Sequence, residues 1–229
     1  MATFESVDIE RPVVLFLFGM GNIAASTRER ILDQGLALMS QAGLTGVTLG
    51  LLADQVGMSK SGLFAHFRSK EEVQIGLLRH MAKFARAHVV QPAMSADEGL
   101  PRLKALVHNW FGWAQRAGLP GGCPVASGLF EFDDVEGAVR NQILAMESEW
   151  RGLLTQLVRE SIAHRHFRPD LDVDQFVWEL CGIYLSHHAA HRFLRAADAD
   201  ERAHTAFESL LDRAAPKTAR PRRSKTGAE

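Results

Sequence analysis

Long apolar runs, cysteine and net charge are all scarce in this chain, and each scarcity excludes something. The longest apolar stretch, Pro12 to Met20, is about half the ~18 residues a membrane-spanning helix needs, so no membrane partner is expected. Acidic Glu5, Asp8 and Glu10 precede it, with Arg11 as the lone cation. A secretory signal requires a basic start, so residues 1–25 read as an N-terminal extension, with Met20 as an alternative start. Only two cysteines occur in 229 residues, Cys123 and Cys181, far apart in sequence. That pattern excludes a disulfide framework and fits reduced thiols in a cytoplasm. A formal net charge of −1 gives no global attraction for nucleic acid, so any DNA contact must come from a local patch.

Chemistry is equally sparse. Gly19, Met20 and Gly21 are too few for a nucleotide loop. His187 and His191 stand four apart, a spacing that can hold a metal, but no acid lies between them and a His-Glu-x-x-His pattern is absent. A polar interface or half-buried pair explains them more simply. Cys123, after two glycines and before Pro124, has no nearby cation to activate its thiol. No nucleophile pairs with a base. The sequence therefore names no catalytic residue, no metal site and no cofactor.

What is present is helix. With 46% hydrophobic residues the chain can bury a core, and apolar positions recur with helical spacing from Ser26 to about Ala215. No sustained period-two alternation and no repeat occurs. The spacing predicts helices near 26–43, 48–56, 59–65, 69–91, 98–116, 123–132, 135–164, 172–195 and 198–214. The predicted organisation is an extension over 1–25, a helix-turn-helix unit over 26–72, a helical effector-binding and dimerisation domain over 73–215, and a basic disordered tail over 216–229.

The first third carries the sharpest local signals. Ser26 and Glu29 form a capping box that opens a helix with Ile31, Leu32, Leu36 and Met39 on its apolar stripe; Gly43 supplies a left-handed stop. Thr48 caps the next helix, with Val47 and Leu52 as a hydrophobic staple. Gly57 ends it, and Met58 is placed to fold back on it. Ser59 then caps a short helix whose inner side offers Leu63 and Phe67 and whose outer side offers Lys60, Ser61, Gly62, Phe64 and His66. Ser69 and Glu72 make a second capping box, and Lys70 adds charge to that helix N-terminus, a ready phosphate site. Between residues 60 and 70 the cations Lys60, Arg68 and Lys70 stand without an acid. Two short helices joined through a glycine turn fit a DNA-binding helix-turn-helix. They fit an ordinary capped helical hairpin as well.

The ordered combination from Thr27 to Val73 resembles the TetR family of bacterial regulators. It runs through Arg30-Ile31-Leu32, Ala42-Gly43-Leu44, Val47-Thr48-Leu49, Leu52-Ala53, Val56-Gly57-Met58-Ser59-Lys60, Leu63-Phe64, His66-Phe67 and Ser69-Lys70-Glu71-Glu72. The resemblance implies an all-α homodimer: an N-terminal helix-turn-helix domain of three helices that binds DNA, and a C-terminal helical domain that binds a small molecule. It implies DNA contacts from Thr48, Ser59, Lys60, Ser61, Gly62, Phe64, His66 and Lys70. Phe64 stands where many members carry a tyrosine whose hydroxyl meets a phosphate, and Gly62 where a base-reading side chain is common. His66 fits a DNA contact and a packed ring equally.

Beyond residue 91 the reading rests on pattern. Trp110, Phe111, Trp113, Phe130, Trp150 and Trp178 are the expected lining of a pocket for an effector of unknown identity, against the plainer reading that each aromatic is simply core. The segment from Gly121 to Asp134 is similar to one recurring subset of TetR-type C-terminal domains. Helices 135–164 and 172–195 carry long apolar stripes and are expected to pair across a two-fold axis into a four-helix bundle. Asp133 and Asp134 are read as the cap of the first. The resemblance implies double-stranded DNA with a pseudopalindromic operator as partner, and the function of a repressor released by its effector. Two rivals are a helical metal or enzyme scaffold built on His187, His191 and Cys181, and a sensor whose head has lost DNA binding, suggested by Phe64 and Gly62.

Overall fold

A computed structural model describes residues 26–216. The expected extension over residues 1–25 and the expected tail from Lys217 lie outside them. Among the described residues the chain is all-α, with no strand. The helices are α1 (Thr27–Gly46), α2 (Leu49–Val56), α3 (Lys60–Phe64), α4 (Lys70–Ala85), α5 (Gln91–Ala93), α6 (Leu100–Trp110), α7 (Trp113–Arg116), α8 (Pro124–Glu131), α9 (Ala138–Ala163), α10 (Val173–Ala189) and α11 (Ala199–Ala214). A π-helical stretch, Arg86–Val90, joins α4 to α5, and a second, Ala190–Leu194, prolongs α10. No helix here is long and apolar enough to cross a membrane.

The head forms as its caps dictate. Ser26 accepts the Glu29 amide at 3.2 Å while the Glu29 carboxylate accepts the Ser26 amide at 2.9 Å, a closed capping box. At the end of α2, Gly57 takes φ 68° and ψ 31°. Its N–H donates to the Asp54 carbonyl and that of Met58 to the Ala53 carbonyl, the paired closure that needs a residue free to turn left-handed. Leu52, Leu63 and Phe67 are fully buried with Leu36, Met39, Val73 and Leu77. Each is worth roughly 1.5–3 kcal/mol relative to exposure, so this small unit is held by its shared core more than by helix propensity. Leu77 of α4 presses so closely on α1 that a Cβ at Gly35 would lie 2.5 Å from it. The first half of α4 is thus packed into the head, past the boundary expected at residue 72.

Several boundaries differ from expectation, each for a local reason. The α1 helix does break at Gly43 (φ 70°, ψ 176°), but one further turn runs to Gly46. The helix expected over 98–116 is two: Phe111 turns extended and Gly112 takes φ 68°, which starts α7 in a new direction. α9 begins three residues after the expected start. Gly137 occupies its N-cap without a side-chain bond, while the Asp133 carboxylate accepts the Asp134 amide at 2.9 Å instead of capping the helix.

One continuous core runs from α1 to α11. α4 bridges its two ends, packing on α1 and on α9, while α10 packs chiefly against α11. α8 lies across α1, which brings the C-terminal part into direct contact with the head.

Candidate nucleic-acid interface and effector cavity

α3 is five residues long, and its two sides differ sharply. Leu63 and the following Phe67 are fully buried, whereas Lys60 and Ser61 are exposed and the Phe64 ring is 48% exposed. The Ser59 hydroxyl accepts the Gly62 amide at 3.0 Å and lies 3.0 Å from the Ser61 hydroxyl, fixing the helix start. A Cβ at Gly62 would stand 3.2 Å from the Ser59 Oγ and 3.4 Å from Met58, so the glycine fits a tight corner. Thr48 caps α2 by accepting the Leu51 amide at 3.1 Å. Gly50 leaves room for Lys60: a Cβ there would lie 3.3 Å from Lys60 Cε and 3.6 Å from Nζ. The Lys60 ammonium therefore sits over the first turn of α2, whose free N–H groups and dipole already favour an anion.

His66 is half-buried, between the two readings it allowed. Lys70 is exposed, but its ammonium donates to the Thr45 carbonyl at 3.0 Å, which leaves two of its three protons for solvent or another partner. Ser69 accepts the Glu72 amide at 3.0 Å, but Glu72 reaches the Arg68 amide (2.8 Å) rather than closing the second box. The Arg28 guanidinium lies 4.6 Å over the Phe67 ring and 3.8 Å from Glu72, staking the base of α3 from below. Leu51, 50% exposed on α2, was not anticipated, because a leucine in an apolar run reads as core.

The last turn of α1, after the break at Gly43, is tied from two sides. The Gln74 amide, buried on α4, donates to the Leu44 carbonyl at 2.8 Å. The Glu131 carboxylate at the end of α8 accepts both the amide and the hydroxyl of Thr45 at 3.0 Å. It fills the space a side chain at Gly43 would need, 2.2 Å from that position. At the other end of α8, Gly121 donates its amide to Ser40 Oγ and Gly122 to the Ser40 carbonyl, both at 3.0 Å. A Cβ at Gly121 would lie 1.7 Å from the Ser40 oxygen, so the two backbones touch. Nothing in the sequence pairs Glu131 with Thr45 across 86 positions; only the fold does.

The same glycine corner is one wall of a cavity of about 110 Å³. Trp113, Leu119 and Tyr184 give it an apolar floor, and His188, His191 and Arg192 a polar rim. Tyr184 is buried against Trp110, with ring centroids 4.0 Å apart, and burial pushes its hydroxyl well above the ordinary pKa. His187 is buried, stacks on Phe111 and holds Asp200 at 2.6 Å; that hydrogen bond keeps the Asp200 carboxyl below its usual range. Burial, then the neighbouring Arg192, His187 and His191, lowers the pKa of His188. Burial raises the Cys181 thiol to about 11. Among the described residues no group of histidines, cysteines and acids is arranged to hold a metal.

Of the six aromatics expected to line a pocket, only Trp113 reaches this cavity. Trp110, Phe111 and Trp150 form the aromatic layer behind it, Trp150 set edge-on to Trp110 at 4.7 Å. Phe130 and Trp178 are 65% and 67% exposed. They sit on outward sides of α8 and α10, which helical spacing could not separate from inward ones when apolar residues occupy both. His188, Arg192 and Tyr184 were missed as site residues. The available signal was the cluster of three histidines and an arginine at 187, 188, 191 and 192.

A three-helix head with a buried frame and one polar, partly basic outer surface, set on a helical body, defines a helix-turn-helix DNA-binding protein. Residues 31–74 match the family described as bacterial regulatory proteins, tetR family, and residues 99–207 the tetracyclin repressor-like C-terminal domain. The HTH-type transcriptional repressor KstR2 of Mycolicibacterium smegmatis is 30% identical over 155 residues, 66% of this chain and 72% of the relative. A TetR transcriptional regulator from Chloroflexus aurantiacus superposes with TM-score 0.72 at 25% identity, covering 81% of this chain and 92% of that one. AibR, solved with isovaleryl coenzyme A and operator DNA, superposes with TM-score 0.60 at 20% identity, over 78% and 97%. The chain belongs to the TetR family of bacterial transcriptional regulators.

Proposed function

We propose that this regulator is a cytoplasmic homodimeric repressor that holds an inverted-repeat operator through two copies of α3 and leaves it when a small molecule fills the cavity beside Gly121–Cys123. The observation that carries the reading is the asymmetry of α3: an inner side locked by fully buried Leu63 and Phe67, an outer side of Lys60, Ser61 and Phe64 left to solvent. Rigid inside and polar outside is what groove entry requires. Ser59, Ser61, Gly62, His66 and Thr48 complete the surface facing DNA, with Lys60 and Lys70 on phosphates. Phe64 contributes ring contact with a sugar or a thymine methyl where a tyrosine would have bonded a phosphate.

A five-residue helix grips weakly alone, so two must act on one duplex. Exposed Leu144 on α9, Trp178 on α10 and Phe193 just beyond it offer the apolar surface for a two-fold interface, in line with pairing through 135–164 and 172–195. Repression is the activity of KstR2, and AibR was solved with both an acyl coenzyme A and operator DNA, which supports a ligand-responsive repressor here. The Gly121–Glu131 segment is the physical route: it walls the cavity at one end and holds the last turn of α1 at the other. A ligand acts only by binding the DNA-incompetent geometry more tightly.

Lys60→Ala tests the assignment of the reading surface. It should weaken binding to all duplexes similarly and lower the slope of log affinity against log salt by about one, since one phosphate contact is lost. An unchanged slope removes Lys60 from the interface.

A further inference from the structure

The cavity beside the glycine corner has a polar rim that carries no acid. His188, His191 and Arg192 line it, no aspartate or glutamate does, and Asp200 is already taken by His187 at 2.6 Å. Arg192 makes no hydrogen bond or ion pair among the described residues, so its guanidinium is uncommitted. The π-helical stretch Ala190–Leu194 places it there: the wider turn carries His191 and Arg192 onto the rim that His188 already occupies. Such local widening often marks a functional site. Burial first, and then Arg192, His187 and His191, lowers the pKa of His188, so the fixed charge on this rim is that of Arg192. Below the rim, Trp113, Leu119 and Tyr184 offer apolar surface. The volume of about 110 Å³ is on the scale of the ~150 Å³ cavity that admits benzene.

We propose that this cavity binds a small organic anion, a monocarboxylate with a compact apolar tail, its carboxylate held by Arg192 and His188 and its tail lying among Trp113, Leu119 and Tyr184. Arg192 suits the task because a guanidinium fork meets both oxygens of a carboxylate. The site also has a lever. A Cβ at Gly122 would lie 2.7 Å from His188 Cε1 and 3.2 Å from Arg192 Nε, so both side chains abut that residue, and its amide donates to the Ser40 carbonyl of α1. Drawing the two side chains onto a carboxylate changes what the corner rests against. The inference rests on the ligand-responsive reading above and names the ligand class of that cavity.

Calorimetric titration of the full chain with a series of monocarboxylates from butyrate to benzoate, each paired with its neutral amide, tests it. At least one carboxylate should bind, with its amide at least about tenfold weaker, and Arg192→Gln should weaken the carboxylate by about tenfold or more, the loss expected for a charge-assisted bond. No binding by any of the series, or equal binding of acid and amide, overturns the proposal without relying on a variant. Unchanged carboxylate affinity in a folded Arg192→Gln overturns the role of Arg192. Anisotropy on a duplex captured by the protein separates this from the reading it rests on. Carboxylate that binds without releasing DNA leaves the anion site standing and defeats ligand release. DNA binding without any anion binding defeats the anion site alone.

Discussion

Asp200 and His187 are the pair in which one hydrogen bond has a consequence readable in solution. The His187 ring, buried against Phe111, meets the Asp200 carboxylate at 2.6 Å and holds that carboxyl below its ordinary pKa. A carboxyl whose folded pKa is depressed stabilises the fold above its unfolded value of ~3.9, and that contribution disappears as pH falls through the lower folded value. Denaturant unfolding followed from pH 6 to pH 3 should therefore show Asp200→Asn losing less stability on acidification than the parent, after starting lower at pH 6. Parallel acid profiles would remove the pair from the stability balance. None of this was legible in sequence. His187 read as one of a spaced pair with His191, and Asp200, 13 positions on, carried no mark. Lys60 was legible as a cation on an outer surface; that it folds over the first turn of α2 was not, because the space comes from Gly50.

Helices were easy to read where a cap is chemical and hard where a glycine or a widened turn decides. Ser26, Thr48, Ser59 and Ser69 each cap as their side chains foretell, and α2, α3 and the start of α4 fall within a residue of expectation. The two aspartates before α9 misled, because the chain turns at Gly137 before helix begins. Neither π-helical stretch has a sequence signature in apolar spacing, yet the second sets the rim of the cavity. α8 matters most between elements, since its last residue, Glu131, holds the last turn of α1, which leads into α2 and α3. Glu131→Ala should cost the fold only about 1 kcal/mol, as a partly exposed charged hydrogen bond, while hydrogen exchange at Thr45 and its neighbours accelerates. Exchange unchanged over 43–47 would mean that α8 does not brace the head.

At the scale of the whole molecule, a single core ties the head to the body, and exposed apolar residues remain on α9 and α10. Trp178, expected as pocket lining, is 67% exposed on α10, and the dimer proposed above makes it an anchor, since a large ring in an interface centre is where binding energy concentrates. Trp178→Glu should sediment as a monomer and bind DNA at least about tenfold less tightly, since one head then acts alone. A dimer of unchanged affinity would move the interface elsewhere. The family was legible from the first third because caps, turn glycine and inner-side apolar residues leave few alternatives in that order. The cavity was not, because it is assembled from α7, the glycine corner and α10, distant segments with no shared motif.

The central claim is that two outward-facing α3 helices, mounted on one rigid dimer, enter the same duplex. Sequencing the DNA that the purified full chain captures from a random pool tests it most directly. An enriched inverted repeat, with half-site centres about 10 base pairs or a multiple of that apart, is the predicted result. No enrichment, or a lone unrepeated site, contradicts it.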